Sequence, residues 1–248
     1  MSETELRHRF GALTAEQVAA LDRAAVKLGV SVMQLMEIAG WQVARCAWHL
    51  LGQRPAPVHV LAGHGNNGGD ALVAARHLAT WGCTVSVQVL AARDALAELV
   101  AGHARAAEAC GCSVRYGESA GHDDLATAPA LVLDGLLGTG LRSAPREPVA
   151  SAIRLLDDSR SPVLAIDVPS GMDAGTGEAF DPCVRASATC TLAAVKAGLW
   201  EQRSAAAAGE LWAADIGMPA AAWAACGLEQ PEALRGGALV PVPSPTRS

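Results

Sequence analysis

The feature that most constrains this chain is an alternation of short apolar runs with amphipathic stretches, joined by few residues. Val58-His-Val-Leu-Ala62, residues 84–90, Leu131-Val-Leu133 and Val163-Leu-Ala-Ile166 are such runs. Continuous apolar runs of this length are the mark of strands covered on both faces. Residues 70–81, 95–109 and 149–156 carry apolar positions at helical spacing. Further strands are expected at 113–116, 188–192 and 210–214. Strand and helix in alternation predict parallel strands, right-handed crossovers and helices on both faces. The expected fold class is therefore α/β, a doubly wound, mostly parallel sheet.

One domain over residues 1–230 accounts for the pattern, with no repeat at the periods that solenoids show. Residues 1–52 read as two helices packing on the α/β core. Thr14 with Gln17, and Ser31 with Gln34, are capping-box pairs, in which each side chain bonds the other's backbone N–H. From about Pro231 the periodicity fades, and Pro241, Pro243 and Pro245 suggest a mobile tail over 231–248.

Composition excludes several classes. With 51% apolar and 18% charged residues, the chain can bury a core and is not disordered throughout. Its net charge of −6 argues against nucleic acid as a partner, because phosphates call for a basic face. No apolar run of about 18 residues suggests a membrane span. Seven cysteines without a framework read as reduced thiols of a cytoplasmic protein.

In open parallel sheets ligands sit beyond the carboxyl ends of strands, and three strand ends here are chemically unusual. Gly63-His-Gly-Asn66-Asn67-Gly68-Gly69-Asp70 follows a strand and opens a helix. Glycines allow close backbone approach, and a helix start offers free N–H groups to an anion. The segment fits G-x-G-x-x-G but lacks the Lys-Ser/Thr ending of a phosphate-binding P-loop. Asp70 is placed to cap the helix. Asp134-Gly-Leu-Leu-Gly138-Thr139-Gly140-Leu141-Arg142 follows a second strand, and a phosphate could lie between the two loops. Ala165-Ile-Asp167-Val-Pro-Ser170-Gly-Met-Asp173 again ends a strand on an acid. Asp134, Asp167 and Ser170 are hard oxygen donors suited to an alkali or alkaline-earth cation, or the carboxylates could serve as acid and base.

Motifs 63–70, 134–141 and 165–173 together resemble the YjeF N-terminal domain family, the NAD(P)H-hydrate epimerases. The likeness extends to Leu35-Met36-Glu37-Ile38-Ala39-Gly40, to Lys196-Ala-Gly198-Leu199 and to Ala214-Asp-Ile-Gly217. It implies a Rossmann-like, doubly wound three-layer sandwich and the interconversion of the R and S forms of hydrated NADH and NADPH. It puts the substrate on Asn66, Asn67, Gly68, Gly69 and Asp70, on Gly138, Thr139, Gly140, Leu141, Arg142, Ser143 and Ala144, and on Asp167. It puts a potassium ion on Asn67, Asp134 and Ser170. Asp167 is the expected acid/base, Asp134 is the second catalytic candidate, and Lys196 is expected to face the anionic ligand. The resemblance further implies a homodimer and a separate dehydratase acting downstream.

The chain departs from the family pattern at Ile38, Ala71 and Ala197, and in Arg142-Ser143-Ala144, where Ser-Arg-Pro is usual. Two other readings therefore stay open. One is a specialised enzyme of the same fold acting on another small molecule in a secondary pathway. The other is a non-catalytic binding or scaffold module, a role that would not require both acids, the paired asparagines and both glycine loops.

Overall fold

The computed structural model describes residues 1–117, Leu125 and residues 128–243. Eight strands form one sheet: β1 (Pro57–Ala62), β2 (Thr84–Val89), β3 (Ser113–Tyr116), β4 (Leu131–Gly135), β5 (Val163–Ile166), β6 (Ala188–Leu192), β7 (Glu210–Ala214) and β8 (Leu239–Pro241). Their spatial order is β3-β2-β1-β4-β5-β6-β7-β8. Every neighbouring pair is parallel except β7 with β8. The order reverses between β1 and β4, and this switch point, where connections leave in opposite directions, opens a crevice.

The helices are α1 (Glu3–Phe10), α2 (Ala15–Lys27), α3 (Val32–Leu50), α4 (Asn66–Thr80), α5 (Glu98–Ala109), α6 (Val149–Asp158), α7 (Ala205–Ala208) and α8 (Ala220–Ala225). Side chains alternate across the strands. Val58, Val60, Leu133, Leu164 and Ile166 join a core with residues of α2 to α5, such as Leu21, Val43 and Leu72. Leu61, Val132, Val163 and Ala165 face the opposite way and meet Ala152, Ile153 and Leu156 of α6. Burying such a Leu or Ile side chain is worth about 1.5–3 kcal/mol, so both sheet faces need their helices. The expected α/β architecture is present, with helices covering both faces.

Three elements differ from expectation. The capping box Ser2/Glu5 starts a helix before the two foreseen, and its Leu6 and Phe10 pack with Val195 and Leu199. Helix α4 begins at Asn66, four residues early, with Gly65 as N-cap. Asp70 is therefore the fifth helical residue and not the cap. The expected tail from Pro231 holds a buried Leu234 and the antiparallel edge strand β8. That strand is three residues long and ends on Pro241, which an edge strand tolerates because its missing N–H costs no interior ladder bond. Residues 244–248 of that tail lie outside the described residues.

Candidate active site

The paired ends of β1 and β4, Ala62 beside Gly135, set two glycine-rich turns side by side. Gly63 donates its N–H to the Gly135 carbonyl at 3.0 Å. A Cβ on Gly63 would stand 2.1 Å from the Leu136 carbonyl oxygen, and one on Gly68 would stand 1.9 Å from that of Gly63. Only glycine allows this approach. Gly68 and Gly69 are buried, and Gly69 faces the Met36 side chain. These two glycines pack α4 against β1 and α3 and are not among the residues that line the cavity. Ala71, where a glycine is usual, is buried in turn against Gly135.

Side chains lash the loops together. Asn67 donates Nδ2–H to the Leu137 carbonyl at 2.9 Å. The Leu137 N–H donates to Ser170 Oγ at 2.9 Å, and Ser170 Oγ donates to Asp134 Oδ1 at 2.6 Å. The N–H groups of Ser170 and Leu136 also donate to Asp134, at 2.8 and 3.2 Å. Asp134 is wholly buried. Burial pushes its carboxyl up to about 6, against the opposing pull of the Ser170 and Leu136 hydrogen bonds. Asp134 is not among the residues that line the cavity, and its hydrogen bonds position the 136–137 and 169–170 turns.

Beyond these turns lies a cavity of about 380 Å³, in the range of small-ligand sites. Asn66, Asn67, Asp70, Gly138, Thr139, Gly140, Asp167 and Lys196 line it. The N-terminal turn of α4 opens into it, bringing amides without helical partners and a partial positive charge. From the other side α2 and α3 close it with Val18, Leu21, Asp22, Leu35, Met36 and Ala39.

Asp167 follows β5 with a φ of +70°, a left-handed backbone that costs a non-glycine residue about 1–3 kcal/mol and clusters at functional sites. Its Oδ1 pairs with Lys196 Nζ and accepts the Leu192 N–H at 3.2 Å. Lys196 is 1% exposed and also donates to the carbonyls of Leu192 and Ala194. An ammonium has three donors, and here each has an acceptor. Lys196 thus lines the cavity as expected for a residue facing the ligand, and it is at the same time the counter-ion of Asp167.

Leu141, Arg142, Ser143 and Ala144 do not line the cavity. Arg142 turns out toward the carbonyls of Thr139 and Leu141 and to Glu16. In this arrangement the guanidinium ties the 138–142 turn to α2 through Glu16. His64 lines the mouth and is exposed. His59 points away, bonded to Ser86 Oγ at 2.8 Å.

Asp22 escaped the sequence reading. It sits in the apolar stripe Val18, Leu21, Ala25 of α2, and an acid in such a stripe is the available signal. Burial raises its carboxyl, with Lys196 opposing. Asp70 is raised well above the usual carboxylate range by burial and by the charges of Asp167 and Asp22.

Fold and crevice together define a doubly wound α/β protein with a small-ligand site at its topological switch point. Residues 32–198 match the family described as YjeF-related protein N-terminus. The chain belongs to that family. It is 39% identical over 185 residues to the NAD(P)H-hydrate epimerase of Cenarchaeum symbiosum, covering 75% of this chain and 85% of that one. It is 38% identical over 213 residues to the NAD(P)H-hydrate epimerase of Dehalogenimonas lykanthroporepellens, covering 84% and 83%. A bifunctional NAD(P)H-hydrate repair enzyme of Salinibacter ruber is 38% identical over 220 residues. The match covers 84% of this chain but 41% of that longer protein. The crystal structure of yeast ynu0, YNL200c, superposes with a TM-score of 0.82 at 22% identity, over 93% of this chain and 99% of that one. That likeness concerns the fold.

Proposed function

We propose that this chain is an NAD(P)H-hydrate epimerase, an isomerase that interconverts the R and S forms of hydrated NADH and NADPH. The observation that carries the reading is the Asp167–Lys196 pair in a cavity framed by two glycine loops. The amides opening α4 and the 138–140 turn suit the substrate's pyrophosphate. The hydrated ring then enters toward Asp167. Epimerisation at the hydrated carbon requires hydroxide to leave, helped by the ring nitrogen's lone pair, and water to return on the other face. Asp167 Oδ1 is engaged by Lys196 and Leu192, which leaves Oδ2 to exchange a proton with the departing or arriving oxygen. Lys196 keeps that carboxyl oriented.

A potassium ion beside the loops is part of this proposal. Asp134 is a fully buried carboxylate whose hydrogen-bond partners are Ser170 and the Leu136 and Ser170 amides, and no cationic side chain pairs with it among the described residues. Its oxygens, Ser170 Oγ and the Asn67 amide oxygen form a hard donor set of the kind alkali ions take. The ion would add positive charge near the substrate's phosphates, and Asn67, Asp134 and Ser170 would hold it. A homodimer, a cytoplasmic setting and a separate dehydratase acting on the product complete the reading.

The deciding experiment mixes the purified protein with R-NADHX and follows the R-to-S ratio by chromatography against the uncatalysed rate. Rapid equilibration, lost in Asp167→Asn, is the expected result. A folded protein that gives no acceleration overturns the proposal.

A further inference from the structure

We propose that Asp70 is a second catalytic acid/base group, working across the substrate from Asp167. The inference rests on the epimerase reading above. The two other acids of the strand ends are engaged: Asp134 accepts three hydrogen bonds and Asp167 holds Lys196. Asp70 is different. It is 9% exposed and lines the cavity, yet its carboxyl has no hydrogen-bond or ion-pair partner among the described residues. Gly68, Gly69 and Ala71 pack tightly on either side of it, so α4 holds it where it is.

The charges around it fix its state. Asp22 of α2, Asp167 after β5, Lys196 after β6 and His64 before α4 share the cavity, while α3 presents Leu35, Met36 and Ala39. One ammonium faces three carboxyls. Lys196 is committed to Asp167. Asp70 has no such partner, and burial with the charges of Asp167 and Asp22 drives its carboxyl toward the protonated form. Two titratable groups driven apart in this way divide naturally into an acid and a base.

The chemistry calls for such a division. The two epimers carry the hydroxyl on opposite faces of the ring, and one carboxyl cannot serve both faces of a ring that does not turn over. Asp70 stands one turn into α4, which follows β1, and Asp167 follows β5, so the two acids enter the cavity from elements on either side of β4. In one direction Asp70 gives its proton to the leaving hydroxyl, the carbon–oxygen bond breaks, and water departs as the ring nitrogen's lone pair forms the iminium. Water then adds to the opposite face and gives its proton to Asp167. The proton returns from Asp167 to Asp70 through solvent in the emptied cavity, or the reverse reaction resets the pair.

The test uses oxygen-18 water with each NADHX epimer, following label uptake and inversion separately, both corrected for uncatalysed rates. Wild-type protein should do both with either epimer. Asp70→Asn should lose inversion by about 100-fold or more, the scale of a lost acid/base group. It should still exchange the hydroxyl oxygen of one epimer slowly and with retention, because Asp167, once it has taken a proton from solvent, can give that proton to the leaving hydroxyl and recover it from water returning on the same face. Asp167→Asn should exchange only the other epimer. Inversion by Asp70→Asn at a wild-type rate overturns the proposal. So does equal loss of inversion and of both exchanges, which marks a purely structural role. The wild-type pH profile is a check that needs no variant. Inversion should fall in alkali, as Asp70 loses its proton. A rate level to pH 10 overturns the proposal. Wild-type protein inactive in both readouts overturns the epimerase reading itself.

Discussion

Lys196 Nζ and Asp167 Oδ1 form a buried ion pair on the wall of the cavity, and both remaining lysine protons go to backbone carbonyls. The pair joins the end of β5 to the turn after β6. It commits the lysine's ammonium to one carboxylate and two carbonyls and so fixes where that carboxylate points. Removing one member of such a pair strands the other, whereas removing both does not.

Lys196→Met should therefore destabilise the protein by about 3 kcal/mol, the scale of an orphaned buried charge. The double variant Lys196→Met/Asp167→Asn should recover much of that loss. Urea unfolding of the three variants and the wild type closes the cycle. Equal losses in the single lysine variant and the double variant would show that the pair is not coupled.

Asp134 and Ser170 carry the potassium prediction. At pH 7.5 and constant ionic strength, potassium chloride should raise the melting temperature above its value in tetramethylammonium chloride. Binding to the folded state alone contributes RT ln(1 + [L]/Kd), about 2.7 kcal/mol at 100 times Kd. Asp134→Asn should abolish the potassium-specific part. If the wild type melts at one temperature in both salts, no potassium site is formed by these residues.

The fold and the three loops were legible because each loop follows an apolar run whose burial the residues announce. Val58 to Ala62, Leu131 to Leu133 and Val163 to Ile166 fix where β1, β4 and β5 end, and the polar residues after them must gather at one edge. What side chains do there was less legible. Gly68 and Gly69 sit in a loop motif, but the helix starts two residues before them and buries them. Lys196 finds its partners only when β5 and β6 align. Asp22 belongs to a helix distant in sequence from every other polar cavity residue. Helix α1 could have been read, because Ser2 and Glu5 repeat the capping box recognised at Thr14 and Ser31.

His59 sets an acid sensitivity. Its imidazole is 1% exposed, and burial, with the Arg115 charge, lowers it from 6.5 to about 4. A folded value below the unfolded one means that the unfolded chain binds the proton first. The stability is present above pH 6.5 and is lost as pH falls from 6.5 toward 4, at up to about 1.4 kcal/mol per pH unit. His59→Asn keeps an acceptor for Ser86 and cannot take up that proton. Its unfolding free energy should fall less steeply across this window, as urea titrations at half-unit pH steps will show. Parallel curves for variant and wild type would remove His59 as the cause.

The glycines that open α4 should differ sharply in their tolerance of a methyl group. At Gly68 the new Cβ would meet a backbone carbonyl at 1.9 Å, and neither β1 nor α4 can move away without breaking the packing of both. At Gly69 it would meet the end of the Met36 side chain at 2.4 Å, a flexible thioether that can swing aside. At Gly65 nothing stands within 4 Å, and its φ of −93° suits any residue. Overpacking typically costs about 1–3 kcal/mol and occasionally more, so Gly68→Ala should lie at or above the top of that range. Gly69→Ala should cost about 1 kcal/mol, and Gly65→Ala only the several tenths by which alanine is the poorer N-cap. Chemical denaturation of the three variants tests this ranking. A Gly68→Ala protein as stable as Gly65→Ala would mean that α4 does not start against the end of β1 as described.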